Sequence, residues 1–127
     1  MKKVKIILLS LVMSSLFYGA QAQINKVPAS YKPIEYKQPD NTVLTIILKG
    51  DEKLHWAETI DGYTLIANEK NGYEYAKLDK SKNMITSKKL AHNQNSRTKR
   101  EIRFLKKVQK GLSFSEYQIK KSKININ

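Results

Sequence analysis

Two histidines, His55 and His92, and the nearby carboxylates Asp51, Glu52, Glu58 and Asp61 are the residues whose types could do chemistry. Imidazole nitrogens and carboxylate oxygens bind zinc, and facing carboxylates work as general acid and base. A hydrolytic zinc site of the helical kind needs His-Glu-x-x-His, which sets two ligands and a base on one helix face. That spacing is absent, and the two histidines are far apart in sequence. His55 reads instead as a strand residue, hydrogen-bonded on the less buried face. Asp51 and Asp61 adjoin glycines, in Gly50-Asp51 and Asp61-Gly62, where turns favour aspartate. No Gly-x-Ser-x-Gly, phosphate loop or dinucleotide fingerprint occurs, and no cysteine, so thiol chemistry is excluded. The sequence assigns no catalytic residue, no metal ligand and no cofactor. It reads as a non-enzyme.

The elements around these residues predict an α+β fold: a small antiparallel β-meander of four to five strands, then a C-terminal amphipathic helix. Residues 50–76, GDEKLHWAETIDGYTLIANEKNGYEYA, form its centre. Asp61-Gly62 and Asn71-Gly72 supply the positive φ that two-residue hairpin loops demand. Loops of that length pair Trp56 with Ala67 and Glu58 with Leu65, and place Trp56, Tyr63 and Leu65 on one face as the structural core. Burial of Trp56 is worth about 4–6 kcal/mol gross, so Trp56→Ala is expected to come close to unfolding the domain. A two-residue loop at Asn71-Gly72 keeps Ala76 with Trp56, whereas a three-residue loop turns Tyr73 and Tyr75 to that face.

Upstream, residues 23–41 carry Pro28, Pro33 and Pro39 with Tyr31 and Tyr36, the composition of an extended arm. Residues 42–48 (TVLTIIL) are apolar on both parities, which predicts a strand covered on both faces. The meander is expected over 42–95 and the helix over 96–112, packed on the sheet. Thr98-x-x-Glu101 has the capping-box spacing, and Gly111 is a natural stop. Residues 113–127 form a basic tail, in which Ser113 or Ser115 offers a cap for a second short helix. Lys120-Lys121 is the best-placed of the basic pairs for cleavage by a trypsin-like protease.

The chain opens MKKVK, continues through an apolar run and reaches Ala20-Gln21-Ala22. These are the parts of a signal peptide over 1–22, cleaved after Ala22, and they predict a secreted or periplasmic protein. The run is interrupted by serines and too short for a stable membrane span. About 105 residues remain, enough for one small domain whose core must hold it without disulfides. Net charge is +13, of which three lysines belong to the leader. From Lys80 onward, 14 Lys or Arg face only Glu101 and Glu116. For an exported chain this basic excess points to a solvated face or an acidic partner, and away from nucleic acid.

Several motifs occur in a fixed order: Val27-Pro28, Gln38-Pro39-Asp40, Gly50-Asp51-Glu52 with His55-Trp56, TIDGY at 59–63, GYEYA at 72–76, LAHN at 90–93 and RTKREIRFL at 97–105. The series resembles the N-terminal, propeptide-like region of secreted zinc metalloproteases of the immune-inhibitor-A type, over about 27–119. Asn41 departs from the glycine expected after Gln-Pro-Asp. The chain ends where the catalytic domain of such a protease would begin, so hydrolysis is not implied. The resemblance implies a prodomain-like module that chaperones, binds or inhibits a zinc metalloprotease. Asp51 is then the carboxylate to test as a ligand to the partner's metal, with His55, Tyr73 and Tyr75 as further partner-contact candidates. Two other readings stand beside it: a surface or glycan-binding β module, and a truncated remnant of a metalloprotease precursor without independent activity.

Overall fold

The fold is given by a computed structural model, which describes residues 32–125. The leader read over 1–22, its cleavage after Ala22 and the first part of the arm lie outside the described residues. Six antiparallel strands follow one another in a single sheet: β1 (Ile34–Lys37), β2 (Val43–Gly50), β3 (His55–Thr59), β4 (Thr64–Ala67), β5 (Tyr73–Leu78) and β6 (Met84–Leu90). Two helices follow, α1 (Lys99–Leu105) and α2 (Glu116–Ile124). The α+β meander is therefore present with six strands, not four to five. The additional strand is β1, in which the Pro-rich arm pairs with β2 from Ile34–Ile46 to Lys37–Val43. Its prolines flank the paired residues, and an edge strand tolerates them there.

Four of the five hairpins share one geometry, a three-residue loop. The closing pairs are Gln38–Thr42, Thr59–Tyr63, Asn68–Gly72 and Asp79–Asn83, each with the first residue's N–H donating to the second's carbonyl. Three residues span each gap, and the last is left-handed: Asn41, Gly62, Asn71 and Lys82 have φ of 57° to 94°. A two-residue loop of either favoured type needs positive φ at its first central residue, and Asp61 does not adopt it. The β3–β4 loop is thus one residue longer than expected, and the β4–β5 loop takes the three-residue alternative. One residue of slip reverses every side chain.

The ladder accordingly runs Ala57–Leu65 and Glu58–Thr64, and then Leu65–Tyr75 and Ile66–Glu74. Ala57, Leu65, Tyr73 and Tyr75 share the front face, while Trp56, Thr64, Ile66 and Ala76 share the back. The main core lies in front: Leu44, Ile46, Ala57, Leu65, Tyr75 and Ala91 have no exposed surface, and Leu105 of α1 closes over them. Tyr63 packs against this cluster, half-buried. Trp56 belongs to a second, smaller cluster behind, with Ala76, Met84, Leu112 and Phe114. It is half-buried and meets Phe114 edge-on at 5.7 Å between ring centroids. In β2 only Leu44 and Ile46 are sealed, and Val43 and Leu48 are half exposed, so the expected cover on both faces is not found.

This placement lowers the expected cost of Trp56→Ala to about 3 kcal/mol, the low end for removing a large aromatic. The indole Nε1 is buried with no partner among the described residues. Trp56→Phe keeps the edge contact with Phe114 and removes that stranded donor. It is expected to stay within about 1 kcal/mol of the parent in urea unfolding.

Gln38 fastens the two ends of the curled sheet. Its buried amide donates to the carbonyls of Tyr73 and Ala91, both at 2.9 Å, and accepts from the Tyr73 N–H. Pro39 then lies so close to Gly72 that a Cβ there would come within 3.0 Å of its ring. Asn93 continues the same economy at the end of β3: its side-chain amide pairs with the Val43 carbonyl and the Thr45 N–H, as a neighbouring strand would.

The helical segment departs from the expected 96–112. Thr98 caps α1 and Glu101 reciprocates, completing the capping box, but the helix ends at Leu105. The chain then tightens into i→i+3 bonds, Lys107 to Phe104 and Val108 to Leu105. This turn carries it round the tip of the β3–β4 hairpin, where the Gly111 N–H donates to the Gly62 carbonyl. Leu112 and Phe114 thereby reach the back face, and the Thr64 hydroxyl donates to the Leu112 carbonyl. The predicted tail is ordered beyond it: Ser115 caps α2 in a second capping box with Gln118, which also bonds both backbone groups of Met84.

Candidate functional site

The chemistry-bearing residues that converge are not the ones adjacent in sequence. Six of them, Asp40, Asp61, Tyr75, His92, Arg97 and Glu101, form one connected network at the meeting point of five segments. Asp40 and Asp61 come from hairpin loops, Tyr75 from β5 and Glu101 from the first turn of α1. His92 and Arg97 come from the connection between β6 and α1.

His92 stands between two carboxylates. Its Nε2 lies 2.7 Å from Asp40 Oδ2 and its Nδ1 2.8 Å from Glu101 Oε1. An imidazole with a carboxylate at each nitrogen donates twice, which is the protonated form. Burial opposes that charge, but the bonds to Asp40 and Glu101 together prevail and raise the His92 pKa. The hydrogen bond from His92 holds Asp40 down at about 2, with help from Thr42. Across the cluster, Arg97 grips Asp61 with two parallel bonds of 2.6 and 2.7 Å. This fork holds the Asp61 carboxyl at about 2 and raises the Arg97 pKa further.

The Tyr75 hydroxyl joins the two halves. It accepts from the His92 N–H and from Arg97 Nε, both at 3.1 Å, and has Glu101 Oε1 and the His92 carbonyl at 3.2 Å for its own proton. Burial pushes its pKa up. Every polar group in this network has a partner, and an imidazolium locked between carboxylates has no free lone pair to act as a base. The arrangement clamps two loops and a helix start to the sheet. Its structural role is to tie these segments together, with the Asp40 carboxylate at its exposed edge.

Stability should therefore depend on pH in two windows. Asp40 and Asp61 have folded pKa values below their ordinary 3.8, so their contribution is present above that value and fades as pH falls toward 2. His92 is raised above 6.5, so its contribution is complete below 6.5 and fades as pH rises through the folded value. Denaturation midpoints are expected to peak between about pH 4 and 6.5. His92→Gln should flatten the alkaline decline and leave the part of the acid decline that Asp61 carries.

Of the partner-contact candidates, Asp51 and His55 stand on the surface. Asp51 is fully exposed in the β2–β3 turn, where Oδ1 accepts from the Lys53 and Leu54 N–H groups at 2.9 Å. The bond from Leu54, then that from Lys53, lowers its pKa. Gly50 has φ +90°, and a Cβ there would sit 2.2 Å from the Leu54 carbonyl oxygen, so the Gly-Asp pair is dictated by the turn. Tyr73 is half-buried, edge-on to Tyr36 at 4.8 Å. Tyr75 is sealed in the core, with no surface to offer a partner; the longer Asn71-Gly72 loop turns it to the covered face. Lys120 and Lys121 are exposed but sit within α2, so a protease must first open that helix.

From the sequence, Asp61 was placed in a turn, Asp40 only in the Gln38-Pro39-Asp40 motif, Glu101 at a cap and His92 far from the other histidine, and Arg97 was assigned no role. The available signal was positional: five of the ordered motifs, from Gln38-Pro39-Asp40 to RTKRE, each send a side chain to this one place. Among the described residues no group of three or more His, Asp or Glu is placed to hold a metal ion, and no helix is long and apolar enough to cross a membrane. Comparison of the chain with protein-family models, with characterised proteins and with solved structures finds no match.

Proposed function

We propose that this chain is an exported, non-catalytic prodomain-like module that binds a secreted zinc metalloprotease and assists its folding or restrains its activity. The observation that carries the reading is the Gly50-Asp51 turn within the GDE-x-x-HW motif. A fully exposed carboxylate stands there in a hydrogen-bonded turn, held in its ionised form by two backbone N–H groups through a single oxygen. Its second oxygen has no hydrogen-bond partner among the described residues. A carboxylate so presented suits an open coordination position on a partner's zinc, where it would displace the attacking water. The internal network supports the same reading by making the domain a rigid carrier for that turn.

The test is capture of zinc-dependent proteolytic activity from the culture supernatant of the producing cell on the immobilised chain. Activity that elutes from the chain and is abolished by a chelator is the expected result. Asp51→Asn should lower the captured activity about tenfold. A column that retains no protease at all defeats the proposal. Capture that is indifferent to Asp51→Asn removes the metal-ligand role alone.

A further inference from the structure

The outward surface of α1 and the turn after it is a second place built for contact. Lys99, Arg100, Arg103, Lys106, Lys107 and Lys110 are all exposed there. The one acid in that stretch, Glu101, is buried and committed to His92, Tyr75 and the Thr98 N–H. Among the described residues none of these six cations forms an ion pair. Arg100, Arg103 and Lys107 surround one side of Phe104 in a shallow cleft. Lys89 reaches over the same ring at 5.3 Å from β6.

On the other side of Phe104 and Lys107 the surface changes character. A second cleft, lined by Leu78, Val108 and Leu112, is rimmed by Lys77 and Lys107. The two clefts share Phe104 and Lys107, so a cationic cleft runs directly into an apolar one. We propose that this α1 face binds an acidic segment of a partner protein that also carries an apolar side chain: carboxylates on Arg100, Arg103 and Lys107, and the apolar group on Leu78 and Val108. Unopposed positive charge selects the acidic partner and sets the encounter rate. The apolar floor favours a peptide over a sulfated polysaccharide, which would use the cations and leave Leu78 and Val108 idle. The proposal rests on the chain being a partner-binding module, but not on the Asp51 turn.

The test is fluorescence anisotropy on the full chain with a labelled twelve-residue peptide whose glutamates flank two leucines. The expected result is salt-sensitive binding, weakened about tenfold by Arg100→Gln/Arg103→Gln/Lys107→Gln. A peptide with serine for leucine, and separately Leu78→Asn, should each lose several-fold. Lys120→Gln/Lys121→Gln/Lys123→Gln removes the same charge from α2 and should leave binding unchanged. Melting curves establish that each variant is folded. The proposal is overturned by no binding, by equal losses from the α1 and α2 triples, or by equal affinity for the serine peptide. Tighter binding to heparin or to anionic phospholipid vesicles than to the peptide also overturns it. Protease capture that survives the α1 triple removes this surface and leaves the proposed function standing.

Discussion

Arg97→Met is expected to destabilise the fold by about 2–4 kcal/mol at neutral pH. Breaking a buried ion pair from one side costs about 3–5 kcal/mol, because the remaining charge is left without compensation. Arg97's side chain is 4% exposed and that of Asp61 is 19%, so water softens the penalty slightly. The same substitution takes a donor from Tyr75 and the cation from the Tyr63 ring, which lies 5.3 Å from the guanidinium. The effect has a signature that simple loss of packing lacks. With Arg97 present, the Asp61 pair contributes above pH 3.8 and is lost toward pH 2. The difference between parent and variant should therefore hold level from pH 7 down to about pH 4 and shrink as pH falls from there toward 2. Adding Asp61→Leu to Arg97→Met should recover part of the loss, since no charge then remains buried. A difference that is flat with pH, or a double variant worse than the sum of the singles, would remove the fork from the account.

Tyr75→Ala should cost about 3–5 kcal/mol, the range for deleting a fully buried aromatic. For a domain whose total stability is about 5–15 kcal/mol, that brings the chain near unfolding. Tyr75→Phe separates the ring from its hydroxyl. The ring contacts with Tyr63 and Phe104 survive, but the His92 N–H loses its acceptor, while Arg97 Nε keeps the His92 carbonyl at 3.2 Å. A loss of about 1–3 kcal/mol is expected for that stranded donor. Thermal melting reads both, at about 4–8 °C per kcal/mol for a domain of this size. Equal midpoints for Tyr75→Phe and the parent would mean that the hydroxyl holds nothing together.

These two residues show how far the sequence could be read. Tyr75 was visible as an aromatic in a strand, yet its face depended on one residue of loop length. Asn71-Gly72 marks a turn equally well with two residues in the loop or three; the choice lay in whether one or both central residues take positive φ. Arg97 gave no local signal, because its partners are in a hairpin 36 positions away and on another strand. A bidentate ion pair has no periodicity, so nothing along the chain announces it. The turn at Asp51, by contrast, was legible. Its turn is made of adjacent residues, and the Gly50 geometry follows from that turn alone.

What the chain determines by itself is local. The positions of the turns, both serine and threonine caps, the alternation of β3 to β5 and the excess of basic residues toward the end all follow from neighbours within a few places. What the tertiary structure decided is which face each strand presents, that the proline-rich arm pairs as β1, and that the helix stops at Leu105 so the chain can cross to the back of the sheet. Those outcomes turn on contacts between distant residues: Gln38 with Tyr73 and Ala91, Thr64 with Leu112, and His92 with Asp40 and Glu101. Burial makes each worth forming, because a polar group shut away from water must find a partner wherever the fold can supply one.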